Sequence, residues 1–364
     1  LLLCRKNRQR QRRLQTMVSR FSKPGIIAWL LLLSTLTGCT KKSGPGIVFR
    51  EKTDLPPVVC KADSITLPFL FYSERWFLSQ GDLYVLNSRT APFLTVYSLP
   101  ERRVRVQWGN IGRGPHEVPI PSLGEMRDKN RVAIYSNSLN QIELFELRAD
   151  SLAYLSTFHF PIWIKRQRSL PKPYTRLVQY NDTLFVGTSF LPRQIAVELL
   201  DIQNEQIIDV VDFQLQPTEG GYSAPFECKA ALGADRMVVA YRYINRIELY
   251  DLSPEGFRLT HVLGSGATQE ELYAQERDNK MYFYYSDVVC GQRCVYALWQ
   301  GVPTGDLGKK ASCIEIIDIE NGETRCILSS DRYLTDIVVD EKNGVIYGHD
   351  PLNEDCLYVY RIPV

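Results

Sequence analysis

The sequence predicts an all-β protein, specifically a six-bladed β-propeller with four-stranded blades and a ring closed by strands from both termini. Pairs of short apolar strands recur at intervals of about fifty residues, the length typical of propeller blades. Tyr (20) outnumbers Phe (15), a bias that favours strands. No long Gly/Ser/Pro linker interrupts residues 60–364. Because one blade cannot bury its own apolar faces, residues 57–364 are expected to form a single domain.

Each repeat contains two apolar strands around a polar turn, as in the hairpin predicted for Asp235 to Leu252. The first strands are spaced by 49, 52, 53, 58 and 50 residues and begin at Leu83, Val132, Leu184, Met237, Val295 and Val345. The second strands cover 94–97, 142–145, 196–200, 247–250, 314–317 and 357–360. A third strand usually follows.

Two segments depart from this repeat. The longest interval contains a polar, aromatic stretch from Gln269 to Asp287, which predicts an inserted loop with a short helix near Glu270 to Arg277. Val58 to Phe71 precedes the first repeat and has strand character. It either completes the blade begun by Val345 to Ile362, which closes the ring, or packs as an outer strand of the first blade.

The first 38 residues carry eight basic residues and no acidic ones. Met17 is followed by Arg20 and Lys23 and then by the apolar run Ile26 to Leu33, as in a signal peptide. This run is too short to span a bilayer as a stable helix. Residues 1–38 are therefore interpreted as an over-extended start followed by a signal peptide.

The signal ends in Leu36-Thr37-Gly38-Cys39, which resembles the lipobox of bacterial lipoproteins. The resemblance implies that Cys39 receives lipid and that residues 39–56 form the anchor and tether. It places the protein in the cell envelope, on the periplasmic face or at the cell surface. The alternative is an ordinary signal peptide with an incidental cysteine.

The net charge of the chain without residues 1–38 limits the kinds of molecule that it is expected to bind. Removing those eight basic residues from the total of 43 leaves 35 against 41 acidic residues, a net charge of −6. A mildly acidic body argues against nucleic acid. The expected partners are the membrane, through the N-terminal lipid, and an unidentified glycan, peptide or envelope protein.

Seven cysteines remain besides Cys4 and Cys39, and an exported protein meets an oxidising compartment. Topology suggests three disulfides, although spacing alone does not fix connectivity. The pairs are Cys290–Cys294, Cys313–Cys326 and Cys60–Cys356, which leave Cys228 unpaired. A zinc site at Cys290 and Cys294 lacks a second Cys or His pair.

A glycine-rich turn follows the first repeat, from Trp108 to Glu117 (WGNIGRGPHE). This turn resembles the G-(K/R)-G-P-x-E turn of exported TolB-like six-bladed propeller proteins. The resemblance covers about residues 47–364 and implies a fold and a location, not an activity. Arg113, His116 and Glu117 are candidates to project towards the central channel and contact a ligand; the alternative is a structural connector between blades.

The run Tyr282 to Tyr285 (YFYY) lies in the long insertion. If this run is a strand, alternate aromatic side chains are buried in the core. The other aromatic side chains are then exposed and could form the edge of a binding site. Tyr282 and Tyr284 are therefore candidate ligand-binding residues.

The sequence favours a binding or scaffold module over an enzyme. It contains no nucleophile elbow, P-loop or EF-hand loop, and none of its four histidines belongs to a pair spaced for a metal. We expect no cofactor, no resident metal and no catalytic residue. The alternative is a metal-assisted hydrolase or lyase that uses channel residues such as Glu125, Asp128 and Asn130.

Overall fold

The computed structural model describes residues 46–68, 75–114, 117–127, 130–136, 138, 139, 141–159, 174–191, 194–213, 215–217, 221, 223–353 and 355–363. These residues form 26 strands in five sheets, one α-helix and two short 3-10 turns. The predicted signal peptide, Cys39 and His116 lie outside the described residues.

Four sheets follow the chain from Arg75 onwards, with strands numbered in chain order. The first contains β4 (Arg75–Ser79), β5 (Asp82–Leu86), β6 (Leu94–Ser98) and β7 (Arg103–Trp108). The second has eight strands: β8 (Pro121–Glu125), β9 (Arg131–Ser136), β10 (Gln141–Arg148), β11 (Ser151–His159), β12 (Tyr174–Gln179), β13 (Leu184–Leu191), β14 (Gln194–Asp201) and β15 (Gln206–Val210). The third contains β16 (Cys228–Leu232), β17 (Arg236–Tyr241), β18 (Arg246–Ser253) and β19 (Gly256–Gly264). The fourth contains β20 (Tyr282–Cys290), β21 (Cys294–Pro303), β22 (Cys313–Asp318) and β23 (Thr324–Ser329).

The fifth sheet joins the two ends of the described chain. It contains β24 (Asp336–Asp340), β25 (Val345–His349), β26 (Cys356–Arg361) and the early strand β3 (Asp63–Thr66). β3 and β26 are antiparallel, with Thr66 opposite Cys356 and Asp63 opposite Val359. The predicted pairing of an early strand with the last repeat is therefore present.

The residues before β3 lie along the outside of two other sheets. β1 (Val48–Arg50) pairs in parallel with β19, and β2 (Val58–Val59) pairs in parallel with β23. We call residues 47–66 the strap, since they connect the third, fourth and fifth sheets in turn. Part of the segment expected to be tether, residues 39–56, is thus strand.

The all-β, propeller-like class is confirmed, but the prediction of six four-stranded blades is wrong. The described residues form five sheets, of which two have four strands, two have five and one has eight. The eight-stranded sheet arises because β8 and β12 pair in parallel, with Gly124 opposite Leu177 and Glu125 opposite Val178. A sequence period indicates which segments are strands. It does not reveal whether strands of adjacent repeats hydrogen-bond to each other.

Apolar side chains fill the spaces between neighbouring sheets. One cluster combines Val96 of β6 with Leu123 of β8 and Ile134 of β9. Another combines Val186 of β13 with Val239 of β17. Because these layers bury the face of one sheet against the next, the sheets stabilise one another.

The predicted helix near Glu270 to Arg277 is confirmed as α1 (Gln269–Arg277). Thr268 and Glu271 form a reciprocal capping box at its start, and Leu272 is buried. No helix among the described residues is long and apolar enough to cross a bilayer.

Candidate functional site

The glycine-rich turn uses Glu117 to hold its own backbone. The Gly114 N–H donates to Glu117 Oε2 at 2.7 Å, and the Glu117 N–H donates to the Gly114 carbonyl at 3.1 Å. A Cβ at Gly112 would lie 2.0 Å from the same carboxylate oxygen. Glu117 thus acts as a connector within the turn, whereas Arg113 is exposed and His116 lies outside the described residues.

A shallow groove of about 500 Å³ lies beside this turn. It is lined by Ala91, Pro92, Gln107, Trp108, Gly109 and Asn110. The Phe93 ring packs edge-on against Trp108, with centroids 5.4 Å apart, and a Cβ at Gly109 would lie 2.3 Å from that ring. The close contact explains why a glycine with φ of +92° occupies position 109.

Tyr282 and Tyr284 lie together at the start of β20. Their ring centroids are 6.0 Å apart, with the planes inclined by 24°. Tyr282 is 44% exposed, and Tyr284 is half-buried. The two predicted binding tyrosines therefore form a stacked pair that is open to solvent on one side.

The loop after β17 packs a cation and another aromatic ring against Phe283, the residue between the two tyrosines. The Arg242 guanidinium lies 5.3 Å from the Phe283 ring centroid and forms an ion pair with Glu227 at 2.5 Å. Tyr243 packs edge-on against Phe283 at 5.8 Å. The Tyr284 N–H donates to the Arg242 carbonyl at 2.6 Å, which fixes the loop against β20. We call Arg242, Tyr243, Tyr282, Phe283 and Tyr284 the aromatic cluster.

Charged side chains from six strands lie close together near Arg242 of this cluster. They are Arg75 (β4), Glu125 (β8), Arg176 (β12), Lys229 (β16), Asp287 (β20) and Asp336 (β24). We call this set the axial belt. Its three cations and three carboxylates balance in charge.

Glu125 is the centre of one half of the belt. Its Oε1 accepts from Arg75 Nη2 at 2.6 Å and from Arg176 Nη2 at 2.8 Å. Arg176 Nη1 also donates to the Ala230 carbonyl at 2.7 Å, so it links β12 to β16. Burial opposes ionisation of Glu125, but the two arginines outweigh it and hold the pKa below its usual value.

Asp287, Asp336 and Lys229 form the other half. Asp287 Oδ2 accepts from the Ile337 N–H at 3.0 Å, and its side chain is buried. Burial, and then repulsion by Asp336, raise the pKa of Asp287. Burial also lowers the pKa of Lys229, against the attraction of both carboxylates. Asp287 and Lys229 are thus both less readily charged than in water.

The belt differs from the metal site that the hydrolase alternative requires. Glu125 is already paired with two arginines, and Asp128 lies outside the described residues. Within the described ranges, no group of three or more His, Cys, Asp or Glu side chains is placed to hold a metal ion.

Two solved structures with a similar fold come from Bacteroides. One is a "putative exported protein" from Bacteroides fragilis, with a TM-score of 0.55, 13% identity, and coverage of 88% of this chain and 100% of the other. A second is a member of the DUF4221 family from Bacteroides vulgatus, with a TM-score of 0.55, 11% identity, and coverage of 83% and 97%. At such identities the likeness shows the fold alone. No family model and no curated protein matches the chain.

The seven cysteines that the structure describes are all free thiols, so the three predicted disulfides are not formed in it. In the β22–β23 pair, Cys313 lies opposite Ser329 and Cys326 lies opposite Ile316. Cys290 lies opposite Val295, and Cys294 lies opposite Asp318 on β22. Cys356 pairs with Thr66, while the Cys60 N–H donates to the Ser329 carbonyl of the fourth sheet. None of the predicted pairs occupies directly opposite positions in a strand pair.

Sequence reasoning named Tyr282, Tyr284 and Glu125 as candidates but missed the other members of the axial belt. The available signal was a charged residue inside an otherwise apolar strand, as in Asp287 within YFYYSDVVC and Lys229 within CKAAL. Such a residue at the axis costs free energy unless it is paired. Its recurrence in the first strand of successive groups predicts a polar axis.

Proposed function

We propose that this chain is an exported, lipid-anchored binding module of the cell envelope and that its ligand is a glycan held at the aromatic cluster. The lipobox-like Leu36 to Cys39 supports the anchor. Two similar folds come from proteins of Bacteroides, one of them described as exported, and this supports an extracytoplasmic location. We also propose that the chain is related to the exported TolB-like proteins, whose glycine-rich turn it resembles.

The observation that carries the ligand class is the stacked, solvent-facing pair Tyr282 and Tyr284, whose strand is hydrogen-bonded to the Arg242 backbone. Sugar rings present apolar C–H faces that pack on aromatic rings, and their hydroxyl groups accept hydrogen bonds from cations. Tyrosine supplies both an apolar body and a polar tip. In the nearby axial belt, Glu125 is paired with Arg75 and Arg176.

The test is binding of soluble oligosaccharides to residues 40–364, measured by a glycan array and then by calorimetric titration. We expect Tyr282→Ala and Tyr284→Ala each to weaken binding by about tenfold, the loss of about 1.4 kcal/mol of stacking. Tyr154→Ala is the matched control, because Tyr154 is 59% exposed on the distant strand β11.

The proposal fails if no glycan binds, or if the two cluster variants and the control bind alike. Selective binding of extended peptides would instead favour a peptide ligand. The anchor is tested separately by incorporation of labelled palmitate, which Cys39→Ala should abolish.

A further inference from the structure

Exposed apolar side chains are concentrated in the strap. Eleven large hydrophobic residues are exposed among those described, and five of them lie within residues 47–59. These five are Ile47 (40%), Val48 (40%), Phe49 (65%), Val58 (46%) and Val59 (81%), which we call the apolar rim. Exposed apolar residues that are concentrated in one segment favour an interaction site.

The apolar rim lies far from the axial belt within each sheet. β1 is the strand added outside β19, and β2 is the strand added outside β23. The opposite edges of the same sheets are β16 and β20, which carry Lys229 and Asp287. A partner at the rim therefore leaves the aromatic cluster free.

Two cations attach the strap to the body of the protein. Arg50 forms an ion pair with Glu323 at 2.9 Å. Lys52 turns inward to pair with Glu315, with its ammonium 4.5 Å from the Tyr285 ring centroid. The strap thus presents apolar side chains to solvent together with the exposed carboxylates Glu51 and Asp54.

The predicted lipid attachment site is close to the rim along the chain. Seven residues lie between Cys39 and Ile47, and the eight steps from one Cα to the other span about 28 Å when fully extended. An acyl chain inserted from Cys39 therefore keeps the start of the strap close to the bilayer surface.

We propose that the apolar rim rests on the phospholipid surface and is the second membrane contact of the protein. This inference rests on the lipid anchor of the proposed function. Phe49 and Val59 enter the interfacial layer, where apolar side chains gain free energy by leaving water. The outer edges of the third and fourth sheets then face the membrane, and their opposite edges, β16 and β20, remain accessible to soluble ligand.

The test uses residues 40–364, which retain the whole compact unit Ile47–Val364 but carry no lipid. Flotation with vesicles of phosphatidylethanolamine and phosphatidylglycerol measures partitioning. We expect measurable binding, and a loss of about tenfold or more for the double variant Phe49→Ser/Val59→Ser. Leu352→Ser, at a residue 79% exposed on the loop between β25 and β26, is the control and should bind like the unchanged protein.

A second measurement covers the case in which the double variant folds poorly. Phe49→Trp keeps an apolar side chain, and its added indole fluorescence should shift to the blue and be quenched by brominated lipid when vesicles are added. The proposal is overturned if the unchanged chain does not float with the vesicles. It is also overturned if Leu352→Ser loses as much vesicle binding as the double variant, or if brominated lipid does not quench the indole introduced by Phe49→Trp. Palmitate labelling and glycan titration test the proposed function separately. Failure of the proposed function is therefore distinguishable from failure of the apolar rim to bind vesicles.

Discussion

A buried glutamate recurs at the same position in the third strand of three strand groups. Glu198, Glu248 and Glu315 are 0%, 0% and 7% exposed. Each is partnered, because an unpaired buried carboxylate is costly. Tyr174 donates to Glu198 at 2.6 Å, and Arg246 donates to Glu248 at 2.8 Å. Glu315 differs, since its cation comes from outside the sheet, from Lys52 of the strap.

Lys52→Met is therefore expected to destabilise the protein through Glu315. Removing one partner of a buried pair typically costs about 3 kcal/mol, although the nearby Tyr285 hydroxyl reduces this loss. Urea unfolding should show the decrease, and the double variant Lys52→Met/Glu315→Leu should recover most of it. Equal stability of the single variant and the unchanged protein would contradict a structural role for the pair.

At the scale of the elements, a loop-to-sheet contact joins the fourth and fifth sheets. Glu341, just after β24, accepts from the N–H groups of Gln292 at 2.7 Å, Arg293 at 3.3 Å and Cys294 at 3.2 Å. The Tyr296 hydroxyl donates to the same carboxylate at 3.1 Å. A Cβ at Gly291 would lie 2.7 Å from Glu341 Oε1, so the turn closes tightly around the carboxylate.

Glu341→Ala leaves these donors without their acceptor. We expect a loss of about 2 kcal/mol in the free energy of unfolding, measured by denaturant titration. Glu320→Ala is the matched control, because the Glu320 side chain is 72% exposed and its ion pair with Arg236 should contribute little. Hydrogen exchange at Gln292 to Cys294 should accelerate in the Glu341 variant only.

The elements were predictable from sequence to the extent that their signals are local. Alternating apolar residues marked the paired strands, and the polar run from Glu270 to Arg277 marked α1. Val48 to Arg50 was assigned to the tether because three residues give no periodicity, and only pairing with β19 makes them a strand. The β8–β12 pairing and the axial belt depend on contacts between distant segments, which spacing does not encode.

At the scale of the whole molecule, the axial belt joins strand groups from every part of the chain. Asp287 has a raised pKa, so the folded state holds a proton there more readily than the unfolded chain does. Its contribution to stability is therefore greatest in acid and declines as pH rises through the folded pKa.

Asp287→Asn should remove that decline. We expect the variant to be at least as stable as the unchanged protein at pH 7, with the difference shrinking as the pH falls below the usual pKa of an aspartic acid. Thermal melting across this range measures it. A variant that is less stable at pH 7 would show instead that pairing with Lys229 outweighs burial and the repulsion between the two acids.

The pairing of β3 with β26 also governs when the fold can be completed. Asp63 to Thr66 finds its partner strand only after residues 356–361 have been synthesised and delivered to the same compartment. During synthesis, the early strand therefore stays unpaired while nearly three hundred intervening residues are added. A nascent chain interrupted between β25 and β26 exposes the edge of β25, and such an edge attracts aggregation and proteolysis.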